Sequence, residues 1–189
     1  MFIKNRFSCI GFVPKESCRK ILLLLALGMY SIPAYCSEFD REITLKTGFI
    51  FNFSRFGQWE SNFSDKANFT LCSPDRIFVE VARKNLAKKR VGKLPIKVIE
   101  TSVNDDYEAC DVIFITKQFY LNWKDNFSHP VSKGVMLIGE SKGFIQAGGH
   151  INFFLLGGKI RFEVSIKNLK NSGLQLSSKV LRLGKIHER

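Results

Sequence analysis

Hydrophobic and polar residues follow two different periods along this chain, and the switches between them mark its elements. From Gly148 to Leu183 the sequence reads GGHINFFLLGGKIRFEVSIKNLKNSGLQLSSKVLRL. Two β-branched and aromatic runs, Ile151 to Leu156 and Lys159 to Ile166, flank Gly157-Gly158, a two-residue connection that makes a tight hairpin. In the second arm Ile160, Phe162, Val164 and Ile166 alternate with Lys159, Arg161, Glu163 and Ser165, which predicts one buried face and one wet face. The first arm is apolar on both faces, as in an interior strand. Beyond it, Ile166 to Asn171 predicts a helical turn stopped at Gly173, and Ser177 to Ile186 a final amphipathic helix through Val180, Leu181 and Leu183.

Upstream, Glu38 to Trp59 predicts the first helix, with Phe39, Ile43, Phe49, Ile50, Phe53 and Phe56 near helical spacing and Gly48 and Gly57 against it. Asn68 to Cys72 reads as a short strand. Ser73-Pro74-Asp75 reads as the start of a second helix, Ser73 as its cap and the proline in its first turn. That helix runs to about Lys89, with Ile77, Phe78, Val81, Ala82 and Leu86 facing inward. Pro95 to Glu100 is the next strand, Asn104 to Glu108 a polar loop, and Cys110 to Thr116 a buried strand. Lys117 to Asn126 reads as a short helix carrying Phe119, Tyr120 and Trp123, ended by His129-Pro130, and Gly134 to Gly139 as an all-apolar strand. Strands alternating with helices at this spacing imply an α/β fold: a single domain with a mostly parallel, mixed sheet flanked by helices, closed by a C-terminal antiparallel hairpin and helix.

Composition adds the compartment. Lys4, Arg6, Lys15, Arg19 and Lys20 precede the short apolar run Ile21 to Tyr30, and small residues follow near Ala34, Cys36 and Ser37, the pattern of a secretory signal over residues 1–36, with the domain proper at 37–189. The cut falls after Cys36 or after Ala34. About ten apolar residues are too few for a membrane-spanning helix, and a lipoprotein cut before Cys36 needs a small residue where Tyr35 stands. Of the 29 basic and 17 acidic residues, the leader holds five and one, which leaves 24 against 16 and a net charge of +8. The one cationic run, Lys88-Lys89-Arg90, lies near a helix end, where it offsets the helix dipole, so it reads as structural before it reads as a nucleic-acid patch. Cys9 and Cys18 leave with the leader, and so does Cys36 if the cut follows it. That leaves Cys72 and Cys110, two thiols that pair in an oxidising compartment or else remain as buried free thiols. A bond between them would stabilise the domain by about 4 kcal/mol on the chain-entropy model.

The motifs for chemistry are thin. Gly139-Glu140-Ser141-Lys142-Gly143 fits the G-x-S-x-G pattern of a hydrolase elbow, and Glu163 and His187 follow in the matching order, but no helix pattern follows Ser141. His129, His150 and His187 have no metal-ligand spacing. No phosphate-binding loop or dinucleotide fingerprint is present, and no cofactor is implied. Cys72 and Cys110 are not a C-x-x-C pair. Asp105 and Asp106 read as loop solvation. Phe49, Phe51, Phe53, Phe56 and Trp59 cover more of the first helix than one buried stripe requires, which leaves a surplus for a partner contact.

Taken in order, LKTGFIFNFSRFGQWE (residues 45–60), NFTLCSPD, CDVIFIT and GFIQAGGHINFFLLGGKIRFEVSIKNLKNSGLQLSSKVLRL resemble the YfiR-like family over nearly all of the chain after the leader. Phe144, Gly148, Gly149, Ile151, Phe153, Arg161, Phe162, Gly173, Leu174, Ser177, Ser178 and Leu181 are the specific part. The resemblance implies a periplasmic, non-enzymatic regulator that binds the periplasmic domain of an inner-membrane diguanylate cyclase of the YfiN type and represses it, controlling cyclic di-GMP output and biofilm formation. An OmpA-like outer-membrane lipoprotein of the YfiB type draws such a regulator away. The resemblance also places the family's shared disulfide on Cys72 and Cys110. A second cysteine pair found in some members is absent here. Ser165 stands where the family has Asn, and Glu60 where it has Pro. Arg161 and Glu163, on the wet hairpin face, are the residues expected to meet the partner, and a homodimer is a further expectation. The alternative is a periplasmic small-ligand or sensor-accessory module, with a metabolite at the C-terminal edge of the parallel strands.

Overall fold

Ile43, Thr47, Ile50, Phe53 and Ser54 recur every three or four residues and form the inward stripe of helix α1, Tyr35–Phe56. Two polar members sit in that stripe because each hydroxyl is satisfied one turn back: Thr47 Oγ1 donates to the Ile43 carbonyl at 2.8 Å and Ser54 Oγ to the Ile50 carbonyl at 2.9 Å. The computed structural model describes residues 35–59, 66–103, 105, 107–126 and 133–187. The expectations for 1–34, Glu60, Asn104, Asp106, His129-Pro130 and the Phe39 side chain fall outside the described residues.

After α1 the order is β1 (Gly57–Trp59), β2 (Phe69–Ser73), α2 (Arg76–Leu86), β3 (Arg90–Val91), β4 (Leu94–Glu100), β5 (Val112–Ile115), α3 (Tyr120–Asn126), β6 (Met136–Gly139), β7 (Ile151–Leu156), β8 (Lys159–Ser165), α4 (Ile166–Asn171), β9 (Leu174–Leu176), α5 (Ser178–Leu181) and β10 (Lys185–His187). Eight strands form the main sheet in the order β10-β8-β7-β6-β5-β2-β4-β3, and β1 pairs with β9 in a separate two-stranded ladder. Strands β4, β2, β5, β6 and β7 run parallel, β8 turns back on β7, and β10 lies parallel to β8. The sheet is buried on both faces. Val112 and Phe114 of β5 enter the cluster beneath α1 and α2, while Ile113 and Ile115 enter a second cluster with Trp123 and Phe144. Phe53 meets Phe162 at a ring separation of 4.8 Å and Phe78 meets Phe114 at 4.5 Å, so aromatic contacts tie both helices to the sheet.

Several expectations give way. The predicted closing helix is a single turn, α5, and its continuation is the strand β10. The first helix ends at Phe56, and Gly57–Trp59 extends to pair with Leu174–Leu176. The α2 cap is Asp75 rather than Ser73: Asp75 Oδ1 accepts from the Ile77 and Phe78 N–H groups at 3.0 and 3.1 Å. Shifting the cap two residues along turns Val79 inward and leaves Ile77 exposed. In the hairpin, Ser165 is buried as the α4 cap, accepting from the Asn168 N–H at 3.2 Å.

Candidate interaction surface

Both glycines of the β7–β8 turn have positive φ, 58° for Gly157 and 71° for Gly158, the mirror-image turn that matches strand twist. The hairpin they close is longer than its neighbours. β6 stops at Gly139, opposite Asn152, and β10 begins at Lys185, opposite Glu163. Residues 153–162 therefore form a two-stranded ribbon with no described strand on either edge; Phe153 and Phe162 at its base are buried against α1, and the part beyond them projects. The first arm is not interior throughout, as its sequence implied: Leu155 is 64% exposed and Leu156 65%, and Leu183 beside them is 70% exposed. Lys159 and Arg161 are exposed on the second arm, and Glu163 is half-buried, with its carboxylate accepting from Asn152 Nδ2 at 3.2 Å. Among the described residues Lys159 and Arg161 have no ion-pair partner. Leu156 lies on the face of Lys159 and Arg161 and borders one groove with Arg161 and Leu183, while Leu155 lies on the opposite face with Ile160. Bare leucines and cations at the end of the hairpin suit contact rather than chemistry.

Cys72 lies on β2, and Cys110 just ahead of the neighbouring β5. Cys72 of β2 pairs with Ile113, and Cys110 just ahead of β5 is bonded to it, with the Cα atoms 6.0 Å apart and both residues buried. The bond pins the two central strands near the start of β5. Beside it stands Asp111, a residue the sequence pattern did not single out. Its buried carboxylate accepts from the Thr70 N–H at 2.8 Å and from Lys66 Nζ at 2.6 Å.

At the opposite, C-terminal edge, β2 leads through α2 to β4 on one side while β5 leads to β6 on the other. This is the switch point where α/β proteins commonly hold ligands. Here the polar groups are turned on one another. Asp75 Oδ2 accepts from Thr116 Oγ1 at 2.8 Å, linking the ends of β2 and β5. Lys46 of α1 is paired with both Glu42 and Glu140, and Glu140 accepts the Lys117 N–H at 2.8 Å. Burial alone would lower the Lys46 ammonium, but hydrogen bonds and charge from Glu140 and Glu42 outweigh it and hold it above its ordinary range. A cleft of about 550 Å³ remains beside this bridge, bordered by Lys142, Gln146, Asn152 and Glu163.

The G-x-S-x-G stretch does not form an elbow. Residues 142–148 are a run of turns, and the buried Ser141 Oγ has no hydrogen-bond partner among the described residues. Gly139 of this stretch and Gly149 beyond it make room for Phe144 instead: a Cβ on Gly139 would lie 2.5 Å from its ring and one on Gly149 2.1 Å. Phe144 is fully buried between them, 5.0 Å from the Trp123 ring. His187 lies on β10 opposite Ser165. His150 is buried, with Nδ1 accepting the Leu137 N–H at 2.8 Å, so its proton sits on Nε2, which donates to Ser172 Oγ at 2.9 Å. Burial pushes its pKa down to about 4, against a smaller opposing pull from the Asn168 backbone. Among the described residues no group of three His, Cys, Asp or Glu side chains is placed to hold a metal ion, and no helix is long and apolar enough to cross a membrane.

A family model described as YfiR/HmsC-like matches residues 44–185. No curated protein matches the chain. The crystal structure of a conserved domain protein from Vibrio cholerae O1 biovar El Tor str. N16961 superposes with a TM-score of 0.51 at 8% identity, covering 77% of this chain and 60% of that one. This chain thus spans less than two thirds of that protein, and the likeness is one of fold.

Proposed function

The chain belongs to the YfiR/HmsC-like family, whose members are periplasmic regulators of cyclic di-GMP signalling, and we propose that it represses an inner-membrane diguanylate cyclase of the YfiN type by binding its periplasmic domain. On this reading residues 1–36 are a cleaved leader, residues 37–189 are the exported domain, and the output is set by stoichiometric contact rather than by turnover. An OmpA-like lipoprotein would compete for the same regulator. The observation that supports the contact is the end of the β7–β8 hairpin, where exposed Leu156 shares a face with Lys159 and Arg161, which pair with no described carboxylate, and exposed Leu155 lies on the other face. Hydrated cations that no described carboxylate answers attract an acidic partner and speed its encounter, and they avoid most of the desolvation penalty if they stay at the rim of the contact. The test is capture of the purified cyclase periplasmic domain by the leader-free chain. The wild type forms a stable complex, and Arg161→Glu keeps its melting temperature while losing capture at least tenfold. Undiminished capture by a folded Arg161→Glu would remove this face from the interface.

A second reading has one observation in its favour. Asn152 Oδ1 is buried and unpartnered where the side chain borders the cleft, and the Nδ2 contact with Glu163 fixes which end of the amide is which. A small-molecule donor would satisfy it. If this cleft rather than the ribbon is the working site, Asn152→Leu abolishes regulation while Arg161→Glu leaves it intact.

A further inference from the structure

We infer that the outer edge of β8, over Lys159 to Phe162, takes up an extended segment of the partner as an added strand, and that this segment alternates acidic and aliphatic residues. The inference rests on the proposed regulatory contact and specifies its chemistry.

The Ser165 N–H donates to the His150 carbonyl at 2.9 Å, and the ladder continues with Glu163 opposite Asn152, Arg161 opposite Phe154 and Lys159 opposite Leu156. In an antiparallel pair only alternate residues exchange bonds, so these four β8 positions bond inward to β7, and Ile160 and Phe162 direct their backbone groups to the outer edge. β10 covers that edge from Glu163 onward, and its register sets the Phe162 carbonyl to accept from the Lys185 N–H, so the bare groups are the Ile160 N–H and C=O and the Phe162 N–H. A groove of about 540 Å³ lies along the uncovered part, bordered by Leu156, Arg161, Leu183 and Lys185. Backbone donors and acceptors at a bare edge, next to a groove, are the requirements for strand addition.

The side chains define the occupant. Lys159 and Arg161 project on one face of β8 and Ile160 on the other. A strand laid against them meets two cations on one face and an aliphatic residue on the opposite face. The complementary triplet is acidic, aliphatic, acidic, since opposite charges directly across a ladder attract and like charges repel. A second copy of this chain does not fit: antiparallel pairing of two β8 edges centred on Ile160 sets Lys159 of one against Arg161 of the other.

The probe is an end-blocked hexapeptide of alternating Glu and Val, with alternating Lys and Val as its control, added to the leader-free chain. The Glu peptide binds, its affinity falls as salt rises, and it slows hydrogen exchange at the Ile160 and Phe162 amides, whereas the Lys peptide does none of these. Ile160→Pro removes an outward N–H without taking a bond from the β7 ladder and lowers affinity at least tenfold. Should that variant fail to fold, Arg161→Glu reverses the preference between the two peptides. Equal binding of both peptides, no binding of the Glu peptide, or protection confined to other amides overturns the inference. The cyclase arm separates the two ideas. If the Glu peptide behaves as stated but the wild-type chain does not capture the cyclase domain, strand addition stands and the cyclase reading falls. If the cyclase is captured equally by wild type, Ile160→Pro and Arg161→Glu, the cyclase reading stands and strand addition falls.

Discussion

A single buried imidazole gives this fold a measurable response to acid. Burial holds His150 neutral, with a pKa of about 4 against 6.5 in the unfolded chain, despite a smaller opposing pull from the Asn168 backbone. Between those values the unfolded state binds more protons, so stability rises with pH across the window and is lost as pH falls from 6.5 through 4. The loss attributable to this group is on the order of 3 kcal/mol. Urea titrations at pH 7 and pH 4 should therefore show a larger drop for the wild type than for His150→Asn, which keeps an acceptor for the Leu137 N–H but cannot take up the proton. Gly149 offers a second test at this scale. Gly149→Ala would drive a methyl into the fully buried Phe144 ring, a case of overpacking that costs about 1–3 kcal/mol, and thermal melts should place it well below wild type. Ala at Gly157, which meets nothing within 4 Å, acts only through its positive φ.

At the scale of elements, those with a strong local signal were legible in the sequence. The hairpin was, because Gly157-Gly158 sits between two β-branched runs, and so were the parallel strands β2, β4, β5 and β6, because each is a short apolar run between helical patterns. The three-residue strands β1, β9 and β10 were not. Gly57–Trp59 continues a helical spacing that began at Ile43, and Lys185–His187 follows Val180, Leu181 and Leu183 at helical intervals, so only tertiary pairing reveals them as strands. The polar cluster of Lys46, Glu140, Asp75 and Thr116 was equally hidden, since its members come from four elements and carry no common spacing. The projecting ribbon depends on where β6 and β10 stop, which no periodicity in β7 or β8 encodes. Its two bare leucines make an element-level prediction: Leu155→Ser with Leu156→Ser leaves the melting temperature within a few degrees of wild type, because neither side chain is in the core, and weakens partner capture at least tenfold.

For the molecule as a whole, the disulfide ties β2 to the start of β5, away from the hairpin end proposed as the contact surface. The Cys72–Cys110 bond closes a sequence separation of 38 residues, and its removal should cost about 2–5 kcal/mol. Cys72→Ser with Cys110→Ser should unfold at lower urea than wild type, yet the fraction still folded should capture its partner with unchanged affinity, because the bond does not border the ribbon. The measurement that bears most directly on the regulatory account is lysine crosslinking in the intact envelope, followed by mapping of the joined residues. The account predicts links from Lys159 and Lys185 to the periplasmic domain of a diguanylate cyclase, abolished when the ribbon leucines are replaced. Crosslinks from those two lysines to no cyclase, while the chain is present and exported, would contradict it.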